Sequence, residues 1–294
     1  MNIEKLLPDI KKNIFLRNYT TFRIGGPAKY FFVAKTKEDL TKAIQMAKKS
    51  NLPFFILGGG SNILVSDKGY NGLVIKIKNQ KSKIKNNRIL AEAGLALNRL
   101  VELSLKNNLT GMEWAVGIPG TIGGAIYGNA GAFKKSMKDL IKEVEVFDTK
   151  DEKIKIFKNK DCKFGYRDSI FKKKKNLIIL SASLQLKKGK KMKIKEKIKR
   201  YLNYRKETQP LNFPSAGSIF KNPKNFYAGF LIEKCGLKGK RIGNAKISEK
   251  HANFIVNLGN GKAKDVKKLI KLIKKKVKNK FKIELEEEIQ YLSF

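Results

Sequence analysis

The sequence predicts an α+β protein built on mixed sheet. Two observations predict it: short strand-type apolar stretches alternate with helical ones through the first part of the chain, and a strand-rich middle then gives way to helices. KYFFVAKT (29–36) reads as a strand. EDLTKAIQMAKKSN follows as a helix, with Leu40, Ala43, Ile44 and Ala47 at helical spacing. PFFILGGGSN runs from a buried strand straight into glycines. GLVIKIK and RILAEAG flank a turn rich in lysine and asparagine, and LNRLVELSLKNN is a second helix, with Leu97, Leu100, Val101, Leu103 and Leu105 giving a broad apolar face. From residue 144 the segments VEVFD, KIKIFK and LIILSASLQL read as strands. KKGKKMK, beyond 187, offers no apolar residues to bury and reads as a linker. The last part predicts helix KEKIKRYLNYRK, helix YAGFLIEKCG, strand NFIVN, the long helix AKDVKKLIKLIKKKVKNKF, and a strand over IELEEEIQYL (283–292).

A chain of 294 residues, 41% apolar and 31% charged, is globular in type and long enough for two or three lobes. No apolar run approaches the roughly 20 residues needed to cross a bilayer. The opening MNIEKLLPDIKKNIFLRNYTTF lacks the layout of a signal peptide, so a cytoplasmic protein without membrane insertion is expected. Cys162 and Cys235 are far apart and lack CxxC partners, which argues against a disulfide framework or zinc site. With His251 the only histidine, a His-based metal centre and a Ser-His-Asp triad are both disfavoured, and no metal is expected. The net charge of +40 invites a nucleic-acid reading, yet only eight of the 65 basic residues are arginine. The lysines are spread along the whole chain without aromatic interleaving, as solvated faces require. We therefore expect no specific nucleic-acid partner, although an anionic small substrate would be welcome.

Two glycine-rich stretches ask for a ligand. GGGSN (Gly58, Gly59, Gly60, Ser61, Asn62) ends a strand and exposes successive backbone N–H groups, as suits either a tight turn or a phosphate bed. Neither GxGxxG nor GxxxxGK[ST] fits it. GIPGTIGGAIYGNAGAF (117–133) holds six of the 24 glycines. It reads either as a glycine-rich helix packed in the core or as a loop laid along a pyrophosphate and a flat ring. Gly117, Ile118, Pro119, Gly120, Thr121, Gly124 and Asn129 are its cofactor candidates, Thr121 and Asn129 having side chains able to hydrogen-bond a ligand.

Three further stretches carry reactive groups. CKFGYRDSIF places Arg167 between Tyr166 and Asp168, as a carboxylate grip or a surface ion pair. FPSAGSIFKNP places Ser218 near Lys221 and Asn222, as a proton donor or a helix cap. In LEEEIQYL, strand alternation sets Glu286 and Glu288 on one side and Glu287 on the other.

The order TTFRIGGPA, GGGSNILV, GIPGTIGGAIYGNAGAF, YRDSIF, AGSIFKNP, KHANFIVN, LEEEI, spanning about residues 18 to 291, resembles the bacterial UDP-N-acetylenolpyruvoylglucosamine reductases, the MurB flavoenzymes. The resemblance implies a two-lobed FAD-binding domain of the vanillyl-alcohol-oxidase type, followed by a C-terminal α+β substrate-binding domain. The lobes would be 1–75, 76–188 and 189–294, with the strand 283–292 near the first. It implies non-covalent FAD on the two glycine stretches, NADPH as hydride donor and a UDP-sugar substrate. It also implies catalysis by Arg167, Ser218 and Glu288, with Tyr166, Lys206 and Asn222 contacting substrate or nicotinamide. The protein would be a monomer or weak oligomer.

The family pattern LEPEV becomes Leu285, Glu286, Glu287, Glu288, Ile289 here, without its proline. Only nine residues separate Arg167 from LIILSASLQL, so the chain resembles the shorter branch, which lacks a tyrosine-bearing loop. An oxidase of the same superfold and a colourless polyanion-binding module are the competing readings.

Overall fold

The computed structural model describes residues 3–294. It divides into two compact units, each gathered from separate stretches of chain. The first comprises the chain up to Lys11, Phe31–Gly59 and Leu73–Asn203; the second comprises Lys12–Tyr30, Gly60–Gly72 and Tyr204–Phe294. This division is coarser than the three lobes read from the sequence.

In the first unit the middle segments form a five-stranded antiparallel sheet. Its order is Lys153–Lys158, Ile141–Asp148, Leu177–Gln185, Arg88–Glu92, Ser82–Lys85. The central strand is buried without interruption from Leu177 to Ala182, because it is covered on both faces. One cover is the helix Ile122–Tyr127. Helix Lys37–Lys49 starts at a capping box, in which the Thr36 hydroxyl accepts from Asp39 N and the Asp39 carboxylate accepts from Thr36 N. Its predicted stripe of Leu40, Ala43, Ile44 and Ala47 is fully buried. Strand Phe54–Leu57 pairs in parallel with Tyr70–Ile77, Leu57 opposite Lys76, and delivers the chain to Gly58.

The second unit is built on an antiparallel sheet of order Ser215–Ser218, Phe254–Asn257, Ala245–Ile247, Arg241–Ile242. Helix Ala263–Phe281 lies against it. Ala263, Val266, Leu269, Ile270, Ile273 and Val277 are buried at three-to-four spacing, while the other side is lysine. Helix Ala228–Lys234 adds Leu231 and Ile232 to the same core.

Two expectations are corrected. KKGKKMK is not a linker: Lys187–Lys188 pair with Leu109–Thr110, and helix Lys191–Thr208 begins within the run, with the boundary between units falling inside it. Lysine is a good helix former that needs no buried face, so absence of apolar residues was the wrong test. The strand expected over 283–292 is formed only at Gln290–Leu292, which pairs in parallel with Ile63–Val65. Before it, an isolated bridge joins Phe220 to Glu287, and strict alternation of side chains does not extend over the three glutamates.

Candidate active site

The two glycine stretches meet in the first unit. A Cβ on Gly59 would lie 2.5 Å from the Gly120 Cα, and one on Gly58 2.8 Å from Thr121 Oγ1. Contact this close requires bare backbone at both positions. The second stretch is held there by main-chain and side-chain bonds: Leu97 N donates to Gly120 O (3.1 Å), and Gly117 N to Asn98 Oδ1 (3.1 Å). Ile118 N donates to Ala115 O (3.1 Å), and Pro119 is exposed. The stretch then becomes the helix Ile122–Tyr127, capped by Thr121 Oγ1, which accepts from Gly124 N at 3.4 Å. Gly123 packs so tightly on Ala93 that a Cβ would sit 2.9 Å from that residue's own. The core-packing reading of the segment therefore holds at Gly123, while residues 117–120 form a loop packed against Gly59.

Asn129 has a structural role that the sequence did not show. It is buried, its Nδ2 donates to Gly165 O (2.7 Å), and its Oδ1 accepts from Lys138 N (3.0 Å). Both ends of the amide are used within the protein, because the chain must be tied to the loop around 165. Gly165 and Asp168 close that loop by exchanging backbone bonds of 2.9 and 3.3 Å, and Tyr166 and Arg167 form its tip. Ser169 Oγ donates to Tyr127 O (2.7 Å), a second tie to the glycine stretch. Arg167 has φ 53°, an unusual conformation for a residue with a side chain, and its guanidinium stands 5.5 Å over the Tyr166 ring. Asp168 pairs with Lys173 Nζ at 3.1 Å.

In the second unit Ser218 and Glu288 are brought together. Ser218 ends the strand Ser215–Ser218, so the helix-cap reading is set aside. The next carbonyl, Ile219 O, accepts from Glu288 N (2.8 Å) and Ile289 N (3.3 Å). Asn62, the end of GGGSN, donates its Nδ2 to Glu288 O (3.1 Å), and its own carbonyl accepts from Gln290 N (3.1 Å). The chain crosses between units at Gly59–Gly60, so Gly60, Ser61 and Asn62 belong with Ser218 and Glu288.

The glutamates separate by their partners. Glu286 is exposed and pairs with Lys221. Glu287 accepts from Lys274 Nζ (2.8 Å) and from the Tyr291 hydroxyl, whose pKa is raised by burial and by that bond. Glu288 is half-buried, its backbone bonded to the residue that follows Ser218.

Asn222 Oδ1 accepts from Ala228 N (3.0 Å), fixing the start of helix Ala228–Lys234. Lys206, near the end of helix Lys191–Thr208, has an exposed side chain, and its carbonyl accepts from Lys250 Nζ. It lines a cleft with Lys246, Lys250, Pro210 and Phe213. The other reactive side-chain types recede. Cys162 is buried and its thiol is pushed up to about 12 by burial, so it stays protonated and inert. The lone His251 is held below its ordinary value by burial, its Nδ1 accepting from Asn253 N at 3.2 Å. No cluster of three metal-ligating side chains occurs among the described residues.

A family model described as UDP-N-acetylenolpyruvoylglucosamine reductase, C-terminal domain, matches residues 209–292, and one described as FAD binding domain matches residues 28–157. The reductase of that name from Caldanaerobacter subterraneus is 46% identical over 276 residues, covering 94% of this chain and 91% of its own. The chain belongs to the UDP-N-acetylenolpyruvoylglucosamine reductase family. A relative from Caldicellulosiruptor saccharolyticus is 45% identical over 295 residues, 99% of this chain and 94% of its own. Among solved structures, the MurB reductase of Thermus caldophilus superposes with a TM-score of 0.84 at 35% identity, covering 97% of this chain and 100% of that one.

The residues present fit the flavin that this reductase family uses. Gly58 and Gly59 approach Thr121 and Gly120 too closely to carry a Cβ, so what these positions can offer a dinucleotide is main-chain amides, as binding to a flavin pyrophosphate requires. Where the family's LEPEV pattern has proline, Glu287 is held by Lys274 and Tyr291, a side-chain clamp in place of a rigid ring. Sequence reading missed this clamp and the second role of Asn129. It also missed Lys76, whose Nζ donates to the Gly58 carbonyl. The signal for Lys76 was a charge inside the apolar run GLVIKIK, drowned by lysines everywhere else.

Proposed function

We propose that this chain reduces UDP-N-acetylglucosamine enolpyruvate to UDP-N-acetylmuramate for peptidoglycan precursor synthesis, with NADPH as reductant and FAD held without a covalent bond. The observation that carries the reading is the family relationship over nearly the whole chain, supported by the adjacency of Ser218 and Glu288 in the second unit. FAD, when bound, carries a hydride from NADPH to the substrate. Once the terminal carbon of the enol ether has gained that hydride, negative charge collects on the neighbouring carbon and the carboxylate. Arg167 grips the carboxylate through its planar fork, and Glu288 hydrogen-bonds the developing enolate. Ser218 gives its hydroxyl proton to the neighbouring carbon, completing the lactyl ether. A hydroxyl is a weak acid, so it serves only because a carbanion is a strong base and the donor is positioned.

Tyr166, Lys206 and Asn222 contact the UDP-sugar or the nicotinamide in this reading. Asn222 already orders the start of a helix, so its contact is from a fixed position. The three-lobe division at 1–75, 76–188 and 189–294, the shorter family branch, a cytoplasmic location and a monomeric or weakly associating state belong to the same proposal. No specific nucleic-acid partner or membrane insertion is part of it. No helix among the described residues is long and apolar enough to cross a membrane.

The test is NADPH oxidation by the purified yellow protein with and without the enolpyruvyl substrate. Oxidation that depends on substrate supports the proposal; equal oxidation without it removes the substrate assignment. The glutamates sharpen the test. Glu288→Gln lowers kcat about 100-fold, as loss of one stabilising group in a transition state does. Glu286→Gln stays near wild type, since an exposed ion pair contributes little. Glu287→Gln lowers the melting temperature first. Full activity in Glu288→Gln would take that residue out of the chemistry.

A further inference from the structure

Lys76 occupies a place in the first unit where lysine is costly. Its neighbours along the strand, Ile75 and Ile77, are 0% and 6% exposed, and Lys76 is itself half-buried. The parallel register sets it opposite Leu57, the residue before the glycine bed, and its Nζ reaches forward to donate to the Gly58 carbonyl. An ammonium has three donors and carries a full charge. Among the described residues no carboxylate forms an ion pair with Lys76. Burial, with Lys78 nearby, holds its pKa below the ordinary lysine value. A carbonyl dipole offsets part of the cost of desolvating a cation, and an anion would offset far more. The carbonyl that Lys76 grips belongs to the first glycine of the bed assigned above to FAD. That dinucleotide carries two negative charges on its pyrophosphate.

We propose that Lys76 is a positioning residue of the flavin bed, fixing the Gly58 carbonyl and supplying the positive charge that the pyrophosphate of FAD balances. The assignment rests on the flavin reading of this chain. It explains why a charge stands in the buried half of the strand, and why the neutral glycine stretch has cationic support. A bed of main-chain amides alone would bind FAD with little dependence on one side chain.

The experiment titrates FAD-free protein with FAD, following the quenching of flavin fluorescence at low and high sodium chloride. The wild type binds, and its affinity falls as salt rises. Lys76→Met weakens FAD binding about tenfold or more and flattens the salt dependence, as loss of a charge-assisted contact does. Lys76→Arg keeps both affinity and salt dependence within a few-fold of wild type. Lys76→Gln, which keeps a donor for the Gly58 carbonyl but no charge, weakens binding like Met and decides the matter should Lys76→Met fold poorly. The melting temperature of the FAD-free Lys76→Met protein stays level or rises, because a charge that one carbonyl offsets only in part has left a largely apolar strand. Wild-type affinity in both neutral variants overturns the proposal. Weakened binding with the salt dependence intact also overturns it, since that marks a packing role. A wild type that binds no FAD removes the flavin reading itself, a failure distinct from either.

Discussion

Ser218→Ala leaves the reduction of bound flavin by NADPH at the wild-type rate and slows reoxidation by the enolpyruvyl substrate by about two to four orders of magnitude. That range is what a positioned proton donor contributes. The two half-reactions separate because NADPH oxidation needs no proton donor toward carbon, whereas the second step leaves a carbanion that must be protonated. The variant should fold normally: Ser218 lies at a strand end, its side chain half-exposed, and the neighbouring bonds that hold Glu288 run through the Ile219 carbonyl. Anaerobic stopped-flow absorbance at the flavin band reads both steps in one instrument. A Ser218→Ala protein with unchanged reoxidation would remove the hydroxyl from the mechanism. Parallel loss of both half-reactions would point to a damaged flavin site.

Gly59→Ala is expected to abolish stable FAD binding, leaving a colourless protein on purification. A methyl at that position lands 2.5 Å from the Cα of Gly120, and both partners are backbone, so neither can rotate aside. The bed must open, and a bed that depends on main-chain amides loses its geometry when it opens. The clash falls beyond the last paired residue of Phe54–Leu57, so the sheet itself survives and circular dichroism stays native. Gly128→Ala is the control. It lies in the same glycine-rich stretch, yet its added carbon meets its nearest neighbour, Gly124 O, at an ordinary 3.7 Å, and flavin content should match wild type. Equal flavin content in Gly59→Ala would show that the close approach of the two stretches is not where FAD binds.

The elements most readable from sequence were those in which burial is complete or sharply one-sided. Helix Ala263–Phe281 was read to the residue, because lysine at nearly every other position throws Val266, Leu269, Ile270, Ile273 and Val277 into relief. Leu177–Gln185 was read because burial on both faces leaves an unbroken apolar run. At the C-terminal glutamates the failure has its origin in distant partners. Whether Glu286, Glu287 and Glu288 form a strand depends on what lies alongside. Beyond a single bridge from Glu287 to Phe220, strand pairing starts only at Gln290, with Ile63 as its partner, far away in sequence.

Local reading likewise gave no sign that Asn129 ties Gly165 and Lys138 to the glycine stretch, since both partners lie outside it. Composition misread KKGKKMK, since a solvated helix can be written entirely in helix-forming charged residues. Of the reactive groups, residue types and local motifs left alternatives at Arg167 and Ser218, and the ordered resemblance across the chain chose among them. The adjacency of Ser218 to Glu288 was visible only in the fold.

The most direct test of the reaction assignment is a crystal structure of the Ser218→Ala protein with oxidised FAD and UDP-N-acetylglucosamine enolpyruvate and no NADPH, in which no hydride is available and the substrate stays whole. The distances to measure run from the enolpyruvyl carboxylate to the Arg167 guanidinium and the Glu288 carboxyl, and from the ether-bearing carbon to Cβ of residue 218. Hydrogen-bond distances of about 3 Å for the first two, with the alanine methyl against that carbon, are the predicted result. A carboxylate held elsewhere, with Arg167 or Glu288 more than about 6 Å away and no room for a bridging water, would contradict it.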